Sequence, residues 1–378
     1  MKKSEEIINQ CLDFLLANAD KNLIESIILT GSFARGEEVV ICFKDNLKFF
    51  SDIEFLIIIK DSLDFKYAKN KFKELAKDFT EKSAESGSGI DVTFGVSTIE
   101  VLKKMKPRIF TYELKNFGKV LWGNKTILDC IPLNNNRDIP VEDAMRLLFN
   151  RMIEQLINYQ NIIKTESFDT ESALYQIGKG YLDIAKSFMV FRSMYEKNYL
   201  KMSEIINGLT VNNLDTKGLS AQVKYWAIFK TSPVELKKTK KEILDEWFRL
   251  ANYFRQMWLW QSNIYLKQKI WVDNPLRLIK LYFVKEPKMN KFKGWIRFFM
   301  HPYLKRKDFS LIRILPLFVL ASPERLIHLS GVMAYLYDDN YNNSITEYLP
   351  VFSNPQNKTQ VDLKEKVIYN WQLFVKEG

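Results

Sequence analysis

The run "IEFLIII", Ile53 to Ile59, is apolar at successive positions rather than at alternate ones. A strand that is apolar on both faces needs cover on both, so this run belongs in the middle of a sheet with helices packed over it. Around it stand other elements of a small α/β unit. "IESIILT" and "IDVTFGV" read as further strands, and "FKYAKNKFKELAKDFTEKSAE" reads as a charged surface helix closed by the flexible "SGSG". Ile7, Ile8, Cys11, Leu12, Leu15 and Leu16 mark one buried face of a leading helix. "EVVICF" and "LKFF" flank Lys44-Asp45-Asn46, the pattern of a β-hairpin, and "KNFGKVLWGN" supplies a last strand and exit turn.

The periodicity changes after Val141. Leu147, Leu148, Met152, Ile153, Leu156 and Ile157 form one helical stripe, and "ALYQIGKGYLDIAKSFMVFRSMY" and "KKEILDEWFRLANYFRQMWLWQSNIYLKQ" continue in the same manner. A chain of 378 residues exceeds one compact core, and "IPLNNNRDIP" is the natural boundary. The expected fold class is α+β: a small mixed-sheet domain over residues 1–135, then a larger all-α domain over residues 136–378. "FSLIRILPLFVLASPERLIHLSGVMAYLY" is interrupted by Arg313, Pro316, Pro323, Glu324 and Arg325, short of the ~20 apolar residues of a spanning helix, and reads as buried helices. "FSNPQNKTQ" reads as an exposed loop before a final helix from about Val361.

Composition narrows the chemistry. Only three cysteines and two histidines are present, without a CxxC, which argues against a zinc site or a disulfide framework and fits a reducing cytoplasm. Glu5, Glu6 and Asp13 in the first helix are unlike a secretion signal. A formal charge of +11 favours anionic partners such as nucleotides, nucleic acid or an acidic membrane surface, without choosing among them.

Alternate strand residues share a face, so Asp52 and Glu54 project together, roughly 6 to 7 Å apart along their strand. Two carboxylates with no nearby histidine or cysteine suit a hard divalent ion, Mg²⁺ or Mn²⁺. Asp91, at the mouth of "IDVTF", supplies a third carboxylate for the cluster or for taking a proton from an attacking hydroxyl. Gly31 lets the backbone approach an anion, Ser32 offers a hydroxyl, and a short helix starting there would aim N–H groups at a triphosphate.

Gly31-Ser32, Asp52-Ile53-Glu54 and Asp91, in that order and flanked by apolar strands, resemble the signature of the DNA polymerase beta-type nucleotidyltransferase superfamily over about residues 20 to 125. The resemblance implies metal ions held by Asp52, Glu54 and Asp91, with an acceptor hydroxyl attacking the α-phosphorus of a nucleoside triphosphate and releasing pyrophosphate. The helical remainder is similar, only loosely, to the companion domain of the small-molecule and minimal branches, where it would form the far wall of a cleft. Two features depart from the pattern: the spacer from Gly31 to Asp52 is long, as the hairpin would explain, and Glu54 stands where aspartate is commoner.

Arg35 is a further phosphate candidate, though pairing with Glu37 or Glu38 explains it equally. Lys179 is another, with Asp183 four residues on as a carboxylate to activate the acceptor; the two also read as an exposed ion pair on a helix. Gly178 and Gly180 on the same helix point to close packing, for which contact with the catalytic unit is one reason. "ELKKTKKE" reads as a solvated helix start, while His301 and His328 read as structural or incidental. The stretch from Lys280 to Lys307 interleaves lysines and arginines with Tyr282, Phe283, Phe292, Trp295, Phe298 and Phe299, either an aromatic core with cations outside or a surface for nucleic acid or anionic lipid.

The leading expectation is therefore a magnesium-dependent nucleotidyltransferase using a nucleoside triphosphate, ATP first, and a small-molecule hydroxyl acceptor. RNA or protein acceptors, or an inactive nucleotide-binding module, are the alternatives.

Overall fold

The computed structural model of the chain describes residues 2–43, 46–60, 65–85, 89–133, 135–165, 167–232, 236–300, 311–336 and 363–376. Within them the doubly apolar run is β4 (Ile53–Ile59), an inner strand of a four-stranded sheet whose other members are β1 (Ile24–Thr30), β5 (Val92–Thr98) and β6 (Lys119–Gly123). The strand order is β5-β4-β1-β6; β1 runs antiparallel to both neighbours, and β4 runs parallel to β5. A parallel pair cannot be closed by a tight turn. The crossover here is the helix α3 (Phe65–Glu85), whose Phe72, Leu75 and Phe79 pack back on the sheet.

Side-chain alternation divides the sheet's interior in two. Ile53, Phe55, Ile57 and Ile59 of β4 meet Phe72 and Phe79, together with Ile7, Cys11 and Leu15 of α1 (Lys2–Asn18). Leu56 and Ile58 face the other way with Ile28, toward Leu102 of α4 (Ile99–Lys103) and Leu114 of α5 (Ile109–Phe117). Each such buried aliphatic or aromatic side chain contributes roughly 1.5–3 kcal/mol. The short helix α2 (Gly31–Arg35) follows β1, and a separate two-stranded ribbon, β2 (Val40–Phe43) and β3 (Asn46–Phe49), pairs Val40 with Phe49. Lys44 and Asp45, the expected turn, lie outside the described residues, as do Ser86 to Ser88 of "SGSG". No element was foreseen at α4 and α5.

The chain divides into two compact units: Met1–Pro140 with Ser193–Tyr195 and Tyr225–Leu236, and the rest from Val141. Two short segments distant in sequence thus belong to the sheet-bearing unit, which no single cut describes. The second unit contains α6 (Val141–Lys164), α7 (Thr170–Phe191), α8 (Tyr199–Asn207), most of α9 (Thr216–Thr231), α10 (Lys240–Tyr265), α11 (Pro275–Lys285), α12 (Lys288–Met300), α13 (Leu311–Leu320), α14 (Pro323–Leu336) and α15 (Leu363–Trp371). Among the described residues of this unit the only β pairing is an isolated bridge, Val211 with Leu214. The architecture is accordingly α+β, a small mixed sheet and many helices.

Local signals account for the helix ends. Thr239 caps α10 and Glu242 returns the bond to the Thr239 backbone, so "ELKKTKKE" is a helix start over its described residues. The hydrogen bonds from the Thr239 backbone and hydroxyl hold the Glu242 carboxyl below its ordinary range. Gly180 of α7 meets Leu250 of α10, where a Cβ would stand 2.6 Å from Leu250 Cδ2. The glycine therefore serves packing between two helices of its own unit. Among the described residues no helix is long and apolar enough to cross a membrane. The loop "FSNPQNKTQ", His301, Lys305, Arg306 and Lys307 lie outside the described residues.

Candidate functional site

Strand register brings the acids together. Ile53 lies opposite Val92 and Glu54 opposite Thr93, and the Ile53 amide donates to the Asp91 carbonyl at 2.9 Å. Extending the ladder by one residue sets Asp52 level with Asp91 on neighbouring strands, which run ~4.8 Å apart. Ile53 and Val92 are buried on one face, whereas Asp52 and Asp91 are exposed. By alternation Asp52, Glu54, Asp91 and Thr93 share the face of Leu56 and Ile58. That face is apolar at one end and acidic at the other.

β1 delivers the Gly-Ser turn to the same end. Thr30 pairs with Glu54, and its hydroxyl donates to the Glu54 carbonyl at 3.2 Å. Gly31 then takes φ +66°, a left-handed conformation that favours glycine, and a Cβ there would stand 2.0 Å from Glu54 Oε2. The Glu54 carboxylate thus rests against the bare Cα of Gly31. Ser32 is half-buried one residue on, at the start of α2. The chain leaves α2 through Gly36, also left-handed at φ +68°, and Val39 fastens it to the entry of β4: its amide donates to Ser51 Oγ at 3.0 Å, and its carbonyl accepts from the Phe50 amide at 3.0 Å. Ser51, buried and adjacent to Asp52, gave no signal in the sequence.

Arg35 is held by carboxylates. Its Nε donates to Glu37 Oε2 at 2.9 Å and its Nη1 to Glu113 Oε2 at 2.8 Å, with both acids only 14% exposed. Lys230 lies 3.6 Å from Glu37, and the Tyr195 hydroxyl donates to Glu113. The pairing with Glu37 is the one that sequence proximity offers; Glu113, Tyr195 and Lys230 were missed because they come from distant parts of the chain. Among the described residues, Glu38 Oε2 is buried without a hydrogen-bond partner.

Lys179 and Asp183 belong to α7 of the second unit. The expectation of an exposed pair is corrected for Asp183, which is 7% exposed and accepts from Arg151 Nε at 2.6 Å. Burial alone would raise the Asp183 carboxyl, but the Arg151 guanidinium, with Lys186 and Lys179 adding to it, holds the group below its ordinary range. Lys179 is half-buried and acts on Asp183 through its charge.

The donor chemistry of Asp52, Glu54 and Asp91, carboxylate oxygens alone, fits Mg²⁺ or Mn²⁺. The side chains do not stand as a ready cluster: among the described residues no three His, Cys, Asp or Glu are grouped so as to hold a metal ion. Neither the Asp52 nor the Asp91 carboxylate is tied to another side chain among the described residues. Comparison with family models, curated proteins and solved structures returned no match.

Proposed function

We propose that the chain is a metal-dependent nucleotidyltransferase, moving a nucleoside monophosphate from a nucleoside triphosphate, ATP first, to a hydroxyl of a small molecule. One observation carries this reading: the parallel register of β4 and β5 sets Asp91 level with Asp52, with Glu54 on the same face against the left-handed Gly31. Asp52, Glu54 and Asp91 would hold the divalent cation, which when bound offsets triphosphate charge and eases deprotonation of the acceptor. Ser32 donates its hydroxyl to a phosphate oxygen at the Gly31 turn. A carboxylate of the exposed pair accepts the acceptor's proton as the new O–P bond forms and the bond to the leaving pyrophosphate breaks. Arg35, already bound to Glu37 and Glu113, fixes α2 to α5 and so positions the turn.

A second reading, a nucleotide-binding module without transfer, draws on the resting place of Glu54 against Gly31 rather than in a group with the aspartates. Incubation with Mg²⁺, α-labelled triphosphates and a metabolite extract separates the two. Transfer of label with pyrophosphate release, lost in Asp52→Asn, supports the enzyme. Triphosphate binding without pyrophosphate, unchanged by Asp52→Asn, supports the binding module, and absence of binding defeats both.

A further inference from the structure

The helix α12 is fixed to its own unit by one face. Trp295 and Phe298 are 0% and 3% exposed, Trp295 Nε1 donates to the Ala321 carbonyl at 2.9 Å, and a Cβ on Gly294 would lie 2.8 Å from Ser322 Cβ. The opposite face is apolar and open: Met289 is 60% exposed, Phe292 52%, Ile296 40% and Met300 72%. At about 100° per residue these four positions span an arc roughly 80° wide. On the same wheel Lys288 flanks the arc on one side, and Lys293 and Arg297 flank it on the other. All three cations are exposed, and none has an ion-pair partner among the described residues. The helix contains no acidic residue.

We infer that this face of α12 docks on an anionic lipid surface. An apolar arc flanked on both sides by cations is the arrangement that lies in the plane of a membrane interface, with apolar side chains among the acyl chains and ammonium groups at the headgroups. Charge complementarity selects this occupant over a second copy of the chain: a two-fold pairing of the face would bring the cationic flanks of the two copies together, with no acid on the helix to meet them. Nucleic acid would meet two exposed rings at one edge of the arc, Phe292 and Phe299 (38% exposed), with Trp295 turned inward; an apolar arc between two cationic flanks is the arrangement that suits lipid. No spanning segment is required, as the helix is ~20 Å long and lies flat. The proposal is independent of the nucleotidyl chemistry.

Flotation of the full chain with vesicles tests it. Phosphatidylcholine vesicles containing roughly a third phosphatidylserine should carry the protein, with binding that falls as salt is raised, whereas pure phosphatidylcholine vesicles should carry much less. Lys288→Gln, Lys293→Gln and Arg297→Gln should each weaken binding about fivefold, and Met289→Ser with Phe292→Ser and Ile296→Ser about tenfold or more. Should the triple variant lose its circular dichroism, the three exposed charge variants decide. Equal recovery on both vesicles, or binding unaltered by the charge variants, overturns the inference. So does an oligonucleotide that binds the same face while vesicles are ignored, or a dimer that these substitutions dissociate.

Discussion

Replacing Gly31 with alanine probes two effects at once, and Gly36 provides the means to separate them. Both glycines are left-handed, at φ +66° and +68°, and an L side chain in that region costs about 1–2 kcal/mol. At Gly36 nothing lies within 4 Å of an added Cβ, so Gly36→Ala should lose that amount and no more. At Gly31 the same atom would stand 2.0 Å from Glu54 Oε2 and 2.8 Å from Glu54 Cδ, and the carboxylate must leave its place. Forcing a side chain off its rotamer adds about 0.5–1.5 kcal/mol. The total expected for Gly31→Ala is thus about 1.5–3.5 kcal/mol. Urea unfolding of both variants, followed by circular dichroism, should show this difference, and Glu54→Ala combined with Gly31→Ala should remove the excess. For the proposed transfer, activity should separate the pair more widely, because displacing a group of the reacting site by about 1 Å is enough for a loss near 100-fold. Pyrophosphate release should fall by that order in Gly31→Ala and change only a few-fold in Gly36→Ala. Equal losses of stability and activity in the two variants, or no relief from Glu54→Ala, would refute the contact between Glu54 and the turn.

In the second unit, Arg151→Ala should cost about 3–5 kcal/mol in urea unfolding, because it leaves the Asp183 charge buried without its guanidinium. Arg151→Met with Asp183→Leu should recover most of the loss. His328 is stacked on Phe149 at 5.3 Å and hydrogen-bonded through Nε2 to Asn150 Oδ1, which also accepts from Trp371; burial, with Arg146 and Arg325 adding to it against Glu324, pushes its pKa down to about 4. The unfolded chain binds the proton first, at about pH 6.5, so this contribution is intact above that pH. Stability should fall by about 3 kcal/mol between pH 6.5 and 4, and melting of His328→Gln should lack that part of the decline; parallel curves would contradict it.

The strands were legible because burial on both faces leaves its mark in each residue of Ile53–Ile59, and the Asp52–Glu54 pairing because alternation along a strand is a local rule. The level placement of Asp91 needed the register, which the sequence leaves open. Helix α5 was not foreseen: Phe110 is 49% exposed, so the apolar period that would reveal the helix is blurred. Arg35 shows a different limit, since Glu113 lies 78 residues away and resembles any other surface glutamate until the fold brings it to the guanidinium. The reading of Asp183 as exposed failed for a third reason. A helix enclosed by its neighbours buries polar positions along with apolar ones, and α7 buries Tyr181 through Phe191 without a gap, Asp183 and Lys186 included. Periodicity gives no warning where the whole circumference is covered.

The two sets of carboxylates also differ in what the fold gains from them. Asp183 is met by Arg151, and its removal disturbs a buried balance of charge. Asp52 and Asp91 are held in place by the backbone ladder beneath them; their side chains are exposed, of like charge, on adjacent strands. Like charges side by side on a sheet oppose folding by several tenths of a kcal/mol, so neutralising Asp52 should leave stability unchanged or slightly higher. An acidic pair that works weakly against the fold, at the exposed end of an otherwise apolar face, accords with the proposed role. Stability of Asp52→Asn therefore gives meaning to its activity: a folded variant that has lost transfer places the defect in the chemistry, whereas an unfolded one would show that the acid serves the sheet.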